Sequence, residues 1–151
     1  ASEIMVKFIG EYKAKVDDKG RLVFPSAFKS LMGDEELRFV VKQDLFSSCL
    51  SIYTYTEWER QSEEIKSRLN FFNPEHSRFW RAYMDNRALI EPDGKLGRIT
   101  IPKYLLDRIN VDKEVIFFGN DHKIELWAKE LFESIKMADS DISTLAQKIL
   151  G

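Results

Sequence analysis

The chain contains two copies of one pattern, and this repeat restricts its possible folds more than any other feature does. The segment GRLVFP at residues 20–25 returns as GRITIP at residues 97–102. Each proline precedes a helix-like segment, as expected for a residue whose missing N–H suits the start of a helix. Two strand-like segments and a further helix follow in both copies. Because order, spacing and apolar positions all match, the sequence predicts an internal duplication.

Each copy is predicted to fold as a strand, a tight turn, a strand, a short helix, two strands and a helix. Between the copies, apolar side chains recur at helical spacing from Trp58 to Phe72, and Pro74 is predicted to begin a second helix. Copies of this size are marginal alone, so we expect one shared core in an α+β fold with pseudo-twofold symmetry. The expected divisions are a first repeat with its C-terminal helix at residues 5–73, a connecting helix at residues 74–89, and a second repeat with C-terminal helices at residues 90–151.

Both copies carry turn-forming residues between their first two strands. The sequences are DDKGR at residues 17–21 and DGKLGR at residues 93–98. An aspartate can accept backbone N–H groups across such a turn, and glycine adopts backbone angles that other residues take at a cost. Asp93 lies five residues before Arg98, one more than in the first copy. Either Gly94 therefore takes the aspartate position or the second loop has an extra residue. The predicted turn-forming residues are Asp17, Gly20, Asp93 and Gly97.

The charge balance limits how this chain can bind nucleic acid. It has 23 Lys and Arg against 25 Asp and Glu, a formal net charge of −2. This balance argues against a protein that coats nucleic acid through bulk positive charge, and any contact requires a local basic surface. Residues 7–29 offer one, with six basic and three acidic residues. Within it, Lys13 and Lys15 alternate with apolar residues, so both are predicted to face one side of a strand.

The turn cations have two possible roles. Lys19 and Arg21 can project outward to meet a phosphate or a base edge, for which the planar guanidinium is suited. Alternatively, Asp17 and Arg21 simply pair and hold the loop. A small basic face binds one duplex site weakly, so a DNA-binding role predicts an oligomer that presents the face several times.

The doubled D-x-x-G-R turn resembles that of the MraZ proteins of bacteria. The resemblance runs from about Phe8 to about Phe132 and includes FIGEY at residues 8–12, LSIY at residues 50–53 and IELW at residues 124–127. It implies a fold like the AbrB-type swapped-hairpin β-barrel, in two tandem copies. It also implies a sequence-specific transcriptional regulator that forms a ring and binds repeated sites upstream of the division and cell-wall gene cluster.

The same resemblance implies that the turn arginines contact double-stranded DNA in the promoter region of the protein's own gene cluster. Arg98 follows the altered second turn, whose shape is expected to differ from that of the turn before Arg21. The partners implied are this DNA and further copies of the chain in a ring. The candidate DNA-binding residues are Lys13, Lys15, Lys19, Arg21, Lys95 and Arg98.

An enzyme is the first alternative, and the sequence gives it little support. His76 and His122 are the two histidines, and neither has a cysteine or second histidine at metal-ligand spacing. Cys49 has no obvious base beside it. Glycine-rich nucleotide loops and a G-x-S-x-G motif are absent from the sequence. We therefore expect no catalytic residue, cofactor or metal.

A protein-interaction module is the second alternative, either antitoxin-like or a scaffold without DNA regulation. AbrB-type folds also occur in antitoxins, so the fold alone does not separate these functions. Antitoxins of this type usually carry an unstructured partner-binding tail. The residues after Ala138 instead look helical, with one apolar face.

The cellular location is expected to be the cytoplasm, at the nucleoid. Cys49 is the single cysteine, so the chain forms no internal disulfide and suits a reducing compartment. No apolar run approaches the ~20 residues that span a bilayer, so no membrane partner is expected.

Overall fold

A computed structural model describes residues 6–32, 38–93 and 97–151, which form eight strands and six helices. In each copy, two strands, a short helix, two more strands and a helix follow one another in the predicted order. The strands are β1 (Phe8–Lys15), β2 (Arg21–Val23), β3 (Phe39–Gln43), β4 (Leu50–Thr54), β5 (Arg87–Ile90), β6 (Arg98–Thr100), β7 (Glu114–Asp121) and β8 (Lys123–Ala128). The helices are α1 (Ser26–Met32), α2 (Tyr55–Ser67), α3 (Pro74–Met84), α4 (Lys103–Arg108), α5 (Lys129–Ser134) and α6 (Asp139–Leu150).

The two copies exchange strands within one antiparallel sheet. Its six strands lie in the order β1-β7-β8-β4-β3-β5, and β2 and β6 form a separate two-stranded ribbon. The first strand of each copy pairs with the third strand of the other copy, β1 with β7 and β5 with β3. The equivalent strands β4 and β8 pair with each other, as do β2 and β6. Neither copy therefore completes its sheet alone, and the arrangement follows the expected pseudo-twofold symmetry.

A single hydrophobic core fills the space between the sheet and the ribbon. Both copies supply it: Phe28 from α1 and Leu105 from α4 are fully buried, together with inward residues of the strands. The Phe24 ring centroid lies 5.1 Å from that of Phe39 in its own copy and 6.0 Å from that of Phe117 in the other, so an aromatic contact also joins the copies. Removing this apolar surface from water is the main force that holds the copies together.

Helices cover the other face of the sheet. The α2 and α3 helices pack on β3 and β4 through Val40, Tyr53, Trp58 and Tyr83. The α5 helix packs on β7 and β8 through Phe132, in a cluster that also buries Cys49, Ile116 and Trp127. This face is called the helix side below.

The α2 helix is shorter than its apolar spacing predicts. It ends at Ser67, and the next two N–H groups bond three residues back, Arg68 to Ile65 and Leu69 to Lys66. Such bonds close a helix with a tighter turn. The expected continuation to Phe72 is therefore wrong, since that residue lies in the turn before α3.

The start of α3 at Pro74 is confirmed. The Asn73 side chain accepts the N–H of Glu75 at 2.9 Å and caps the helix. Strand β5 begins at Arg87, so the first strand of the second copy starts before residue 90, the expected beginning of that repeat.

Candidate functional site

The β2–β6 ribbon brings one arginine from each copy onto a single exposed face. Its register pairs Arg21 with Thr100, Leu22 with Ile99, and Val23 with Arg98. Because directly opposed residues share a face, Arg21, Val23, Arg98 and Thr100 lie together; we call this set the ribbon face. Leu22 and Ile99 point the other way and are buried in the core. Burial of these two side chains forces both arginines outward. Because they are diagonal neighbours across the ribbon, their Cα atoms lie about 7–8 Å apart.

Asp17 organises the first corner, which precedes β2. One carboxylate oxygen, Oδ1, accepts the backbone N–H groups of Lys19 and Arg21, both at 2.9 Å. The other, Oδ2, accepts Arg21 Nε at 2.7 Å. The pKa of Asp17 lies below its ordinary value. The backbone N–H of Arg21 lowers it most, and burial opposes this with a smaller effect. The Arg21 guanidinium and the Lys19 N–H lower it further.

Pairing and outward projection both occur at Arg21. The ion pair with Asp17 engages Nε, yet the Arg21 side chain keeps 39% of its surface exposed. The carboxylate therefore orders the guanidinium without covering it. Lys19 lies beside it in the corner and is exposed.

Gly20 fits the first corner closely against the other copy. Its φ of +78° lies in the left-handed region, which favours glycine. The N–H of Ile101 donates to the Gly20 carbonyl at 2.9 Å, and a Cβ at Gly20 would collide with the Ile101 carbonyl oxygen. The glycine is thus required both by the backbone angle and by the close approach.

The second corner has an extra residue. The Asp93 N–H donates to the Arg98 carbonyl at 2.6 Å, as the Asp17 N–H does to the Arg21 carbonyl at 3.0 Å. Asp93 therefore occupies the aspartate position, and its loop is one residue longer than the first. Of the alternatives open from sequence, the structure selects the longer loop; Gly94 and Lys95 lie outside the described residues.

The longer loop holds its arginine less tightly. Asp93 Oδ2 lies 3.8 Å from Arg98 Nη2, beyond hydrogen-bond distance. Arg98 Nε is buried and has no hydrogen-bond partner among the described residues. Gly97 takes the place of Gly20, with φ +67°, and its carbonyl accepts the Phe24 N–H at 2.7 Å. The two corners share the Asp-to-Arg backbone hydrogen bond and the positive φ of the glycine, but the Asp–Arg side-chain pairing differs.

Lys13 and Lys15 share one exposed face of β1, as the alternation predicts. That face is the helix side of the sheet, because Lys13 lies opposite Ile116, which packs under α5. Lys15 lies opposite Glu114, whose carboxylate is 3.3 Å from Lys129 Nζ. Strand pairing therefore does not bring these two lysines onto the ribbon face.

Sequence reasoning missed the ribbon itself. The exposed face of the ribbon carries Val23, which is 61% exposed, in the first copy and the polar residue Thr100 in the second. This position of the two strands therefore shares no residue type. The available signal was the shared apolar residue after each turn arginine, Leu22 or Ile99, which marks the buried face of a short strand.

The remaining sites give no competing chemistry in the part of the chain that the structure describes. It contains no cluster of three or more His, Cys, Asp and Glu side chains placed to hold a metal ion. Within residues 6–32, 38–93 and 97–151, no helix has the length and apolar character to cross a membrane.

Comparison with known proteins identifies the family. The family model described as "MraZ protein, putative antitoxin-like" matches residues 7–82 and again residues 86–148. A protein of Bacteroides thetaiotaomicron named Transcriptional regulator MraZ is 34% identical over 148 residues, 97% of this chain and 94% of that protein. One of the same name from Dictyoglomus turgidum is 35% identical over 143 residues, 93% of this chain and 92% of its own. With two tandem matches and relatives aligned along almost its whole length, this chain belongs to the MraZ family.

Proposed function

We propose that this protein is a sequence-specific DNA-binding transcriptional regulator of the MraZ type, and that the ribbon face is its DNA contact. The observation that carries this proposal is the placement of Arg21 and Arg98, one from each copy, on one exposed surface. The names of the relatives support the regulatory role. The protein would act on repeated sites upstream of the division and cell-wall gene cluster, within the nucleoid.

The chemistry of the ribbon face suits a duplex. A two-stranded β-ribbon fits the major groove, and arginine can bind guanine O6 and N7 with two hydrogen bonds. Lys19 stands beside Arg21 and would neutralise a phosphate. Lys13, Lys15 and Lys95 remain proposed phosphate contacts, for DNA that follows the protein surface beyond the ribbon.

Oligomerisation would supply the affinity that one ribbon lacks. A chain with a net charge of −2 gains little from nonspecific attraction. A ring that presents several ribbon faces would bind repeated sites together, with an avidity above that of one face. We also propose that the fold is the swapped-hairpin barrel of the AbrB type, which the exchange of β1 and β5 between copies supports.

A protein-interaction role is the second candidate, favoured by the C-terminal helix. None of the α6 residues is buried, and its apolar side chains at Ile142, Leu145, Ile149 and Leu150 are exposed. Such a face can bind another chain, either a second copy or a different protein.

A mobility-shift titration distinguishes the two candidates. The full chain would be tested against DNA from upstream of its own gene and against unrelated DNA of equal length, at several salt concentrations. A regulator binds the upstream fragment more tightly, and its affinity falls steeply as salt rises. Equal binding to both fragments, or none, would favour the interaction module. Light scattering on the same sample tests the ring, since a strict monomer at micromolar concentration contradicts it.

A further inference from the structure

A second candidate site lies on the helix side of the sheet, away from the ribbon face. It is a cavity of about 250 Å³ between the loop that follows β3 and the helices α2 and α3. Its wall includes Lys42 from β3 and Tyr83 from α3, and Leu45 and Phe46 stand at its edge in the loop. We call it the Lys42 pocket.

Lys42 is an unusual wall residue because most of its side chain is buried while its ammonium, which lines the cavity, has no ion-pair partner among the described residues. The whole residue is only 6% exposed. Its ammonium lies 4.8 Å from the centre of the Tyr83 ring, a cation–π contact. Among the described residues it forms no salt bridge and donates no hydrogen bond, although an ammonium has three donors. A charge on a side chain that is mostly buried is ordinarily paired, and the Lys42 ammonium keeps its three donors available to the cavity.

The other cation of the pocket is already neutralised. Lys123 Nζ lies 3.0 Å from Asp44 Oδ1 and 3.5 Å from Glu125 Oε2. Asp44 is further engaged by the N–H groups of Phe46 and Ser47, which fix the loop at the edge of the pocket. Asp44 and Glu125 thus serve Lys123 and the loop, and neither forms a salt bridge with Lys42.

The surroundings of Lys42 also disfavour its charge. Burial and the Arg87 guanidinium lower the pKa of Lys42, and the charges of Asp85 and Asp44 oppose them only partly. An anion in the cavity would reverse this balance. Tyr83 lines the same space and is only 5% exposed, and its hydroxyl has no hydrogen-bond partner in the described part of the chain.

We propose that the Lys42 pocket binds a small anion, a carboxylate or a phosphate monoester, with the Lys42 ammonium as its counter-charge and the Tyr83 hydroxyl as a second donor. Leu45 and Phe46, 51% and 95% exposed, supply apolar contact for the rest of an organic anion. The bound anion would join the β3–β4 loop to α3. This site is separate from the ribbon face, so it stands whether or not the chain binds DNA.

Thermal unfolding with added anions tests the proposal without DNA. Inorganic phosphate and acetate would each be titrated at constant ionic strength, with chloride as the reference anion. We expect a saturable rise in Tm with at least one of them. The apparent Kd should rise at least tenfold in Lys42→Met and severalfold in Tyr83→Phe. Lys29→Met, which changes an exposed lysine on α1, should respond like the wild type.

Amide spectra of the wild-type chain give a second readout that needs no variant. Saturating anion should shift the signals of residues 42–51 and leave those of β2 and β6 in place. The proposal is overturned if neither anion acts beyond chloride, or if Lys42→Met responds like the wild type. It is also overturned if the wild type binds neither anion while Lys42→Met loses self-association in light scattering. In that case a carboxylate of a second copy supplies the counter-charge.

Discussion

Arg21 Nε donates a 2.7 Å hydrogen bond to Asp17 Oδ2, so a carboxylate four residues earlier in the chain orders the guanidinium of the first corner. In the second corner the equivalent contact, between Asp93 and Arg98, is 3.8 Å because the loop is one residue longer. The two arginine side chains are nevertheless similarly exposed, at 39% and 36%. The ribbon face thus presents two accessible guanidinium groups that differ in how firmly they are held.

This difference predicts unequal effects of removing the two arginines. Arg21→Ala should weaken binding to the upstream DNA by roughly 1–3 kcal/mol, the range for an arginine that contacts a base. Arg98→Ala should weaken it less, because a guanidinium that no described carboxylate holds by a hydrogen bond loses more conformational freedom on binding and so contributes less net affinity. Fluorescence anisotropy with a labelled fragment measures both.

Arg68→Ala is a matched control for this experiment. Arg68 is also an exposed arginine paired with a carboxylate four residues earlier, Glu64 at 3.0 Å, but it lies at the end of α2 on the helix side. Its removal should leave the affinity unchanged. An Arg21→Ala protein that binds as tightly as the wild type would refute the role assigned to the first corner.

The two corner glycines should differ in their tolerance of alanine. Gly20→Ala meets both a left-handed backbone angle and the Ile101 carbonyl, so we expect a loss of unfolding free energy of roughly 2–4 kcal/mol. Gly97→Ala has the same kind of backbone angle, but no described atom lies within 4 Å of the added carbon. Its loss should be about 1–2 kcal/mol. Urea denaturation of both variants makes the comparison, and equal losses would contradict the close packing of the first corner.

The order of elements and the shared core could be predicted from sequence because they depend on local signals. Apolar residues at equivalent positions, such as Leu22 and Ile99, mark the same short strand in each copy. Turn chemistry placed Asp17 and Gly20 at a corner, and the structure has them there. Alternation predicted that Lys13 and Lys15 share a face, which is confirmed.

The strand partners could not be predicted in the same way. Alternation says which residues share a face but not which strand lies alongside. The side of the sheet that Lys13 occupies follows from the pairing of β1 with β7, a contact between copies. The Lys42 pocket has the same origin, since the lysine belongs to a short apolar strand and becomes enclosed only when Tyr83 of α3 packs over it.

Cys49 should be chemically inert in the folded protein. The residue is fully buried, and burial together with Glu125 and Asp44 raises the pKa of its thiol far above the ordinary value. Because the thiolate is the reactive form, we expect a disulfide reagent at neutral pH to modify the native chain on the order of a hundredfold or more slowly than the denatured chain. Equal rates would show that the β4 region opens readily.

Asp44 should make the stability of the β3–β4 loop depend on pH. Burial opposes ionisation of this carboxyl, but hydrogen bonds from Lys123 and from the N–H groups of Phe46 and Ser47 outweigh it and lower its pKa. A pKa below the unfolded value of about 3.9 means that the ionised carboxylate stabilises the fold above that pH, and that this stabilisation is lost as pH falls through the folded pKa.

Asp44→Asn should therefore reduce the unfolding free energy at pH 7 by roughly 1–3 kcal/mol. The difference from the wild type should shrink as pH falls below about 4, because protonation of Asp44 then makes both side chains neutral. Asp112→Asn, a change at a carboxyl with no salt bridge to described residues, is the control in the same urea titrations. A deficit of Asp44→Asn that stays constant across this range would show that the hydrogen bonds of Asp44 contribute without its charge.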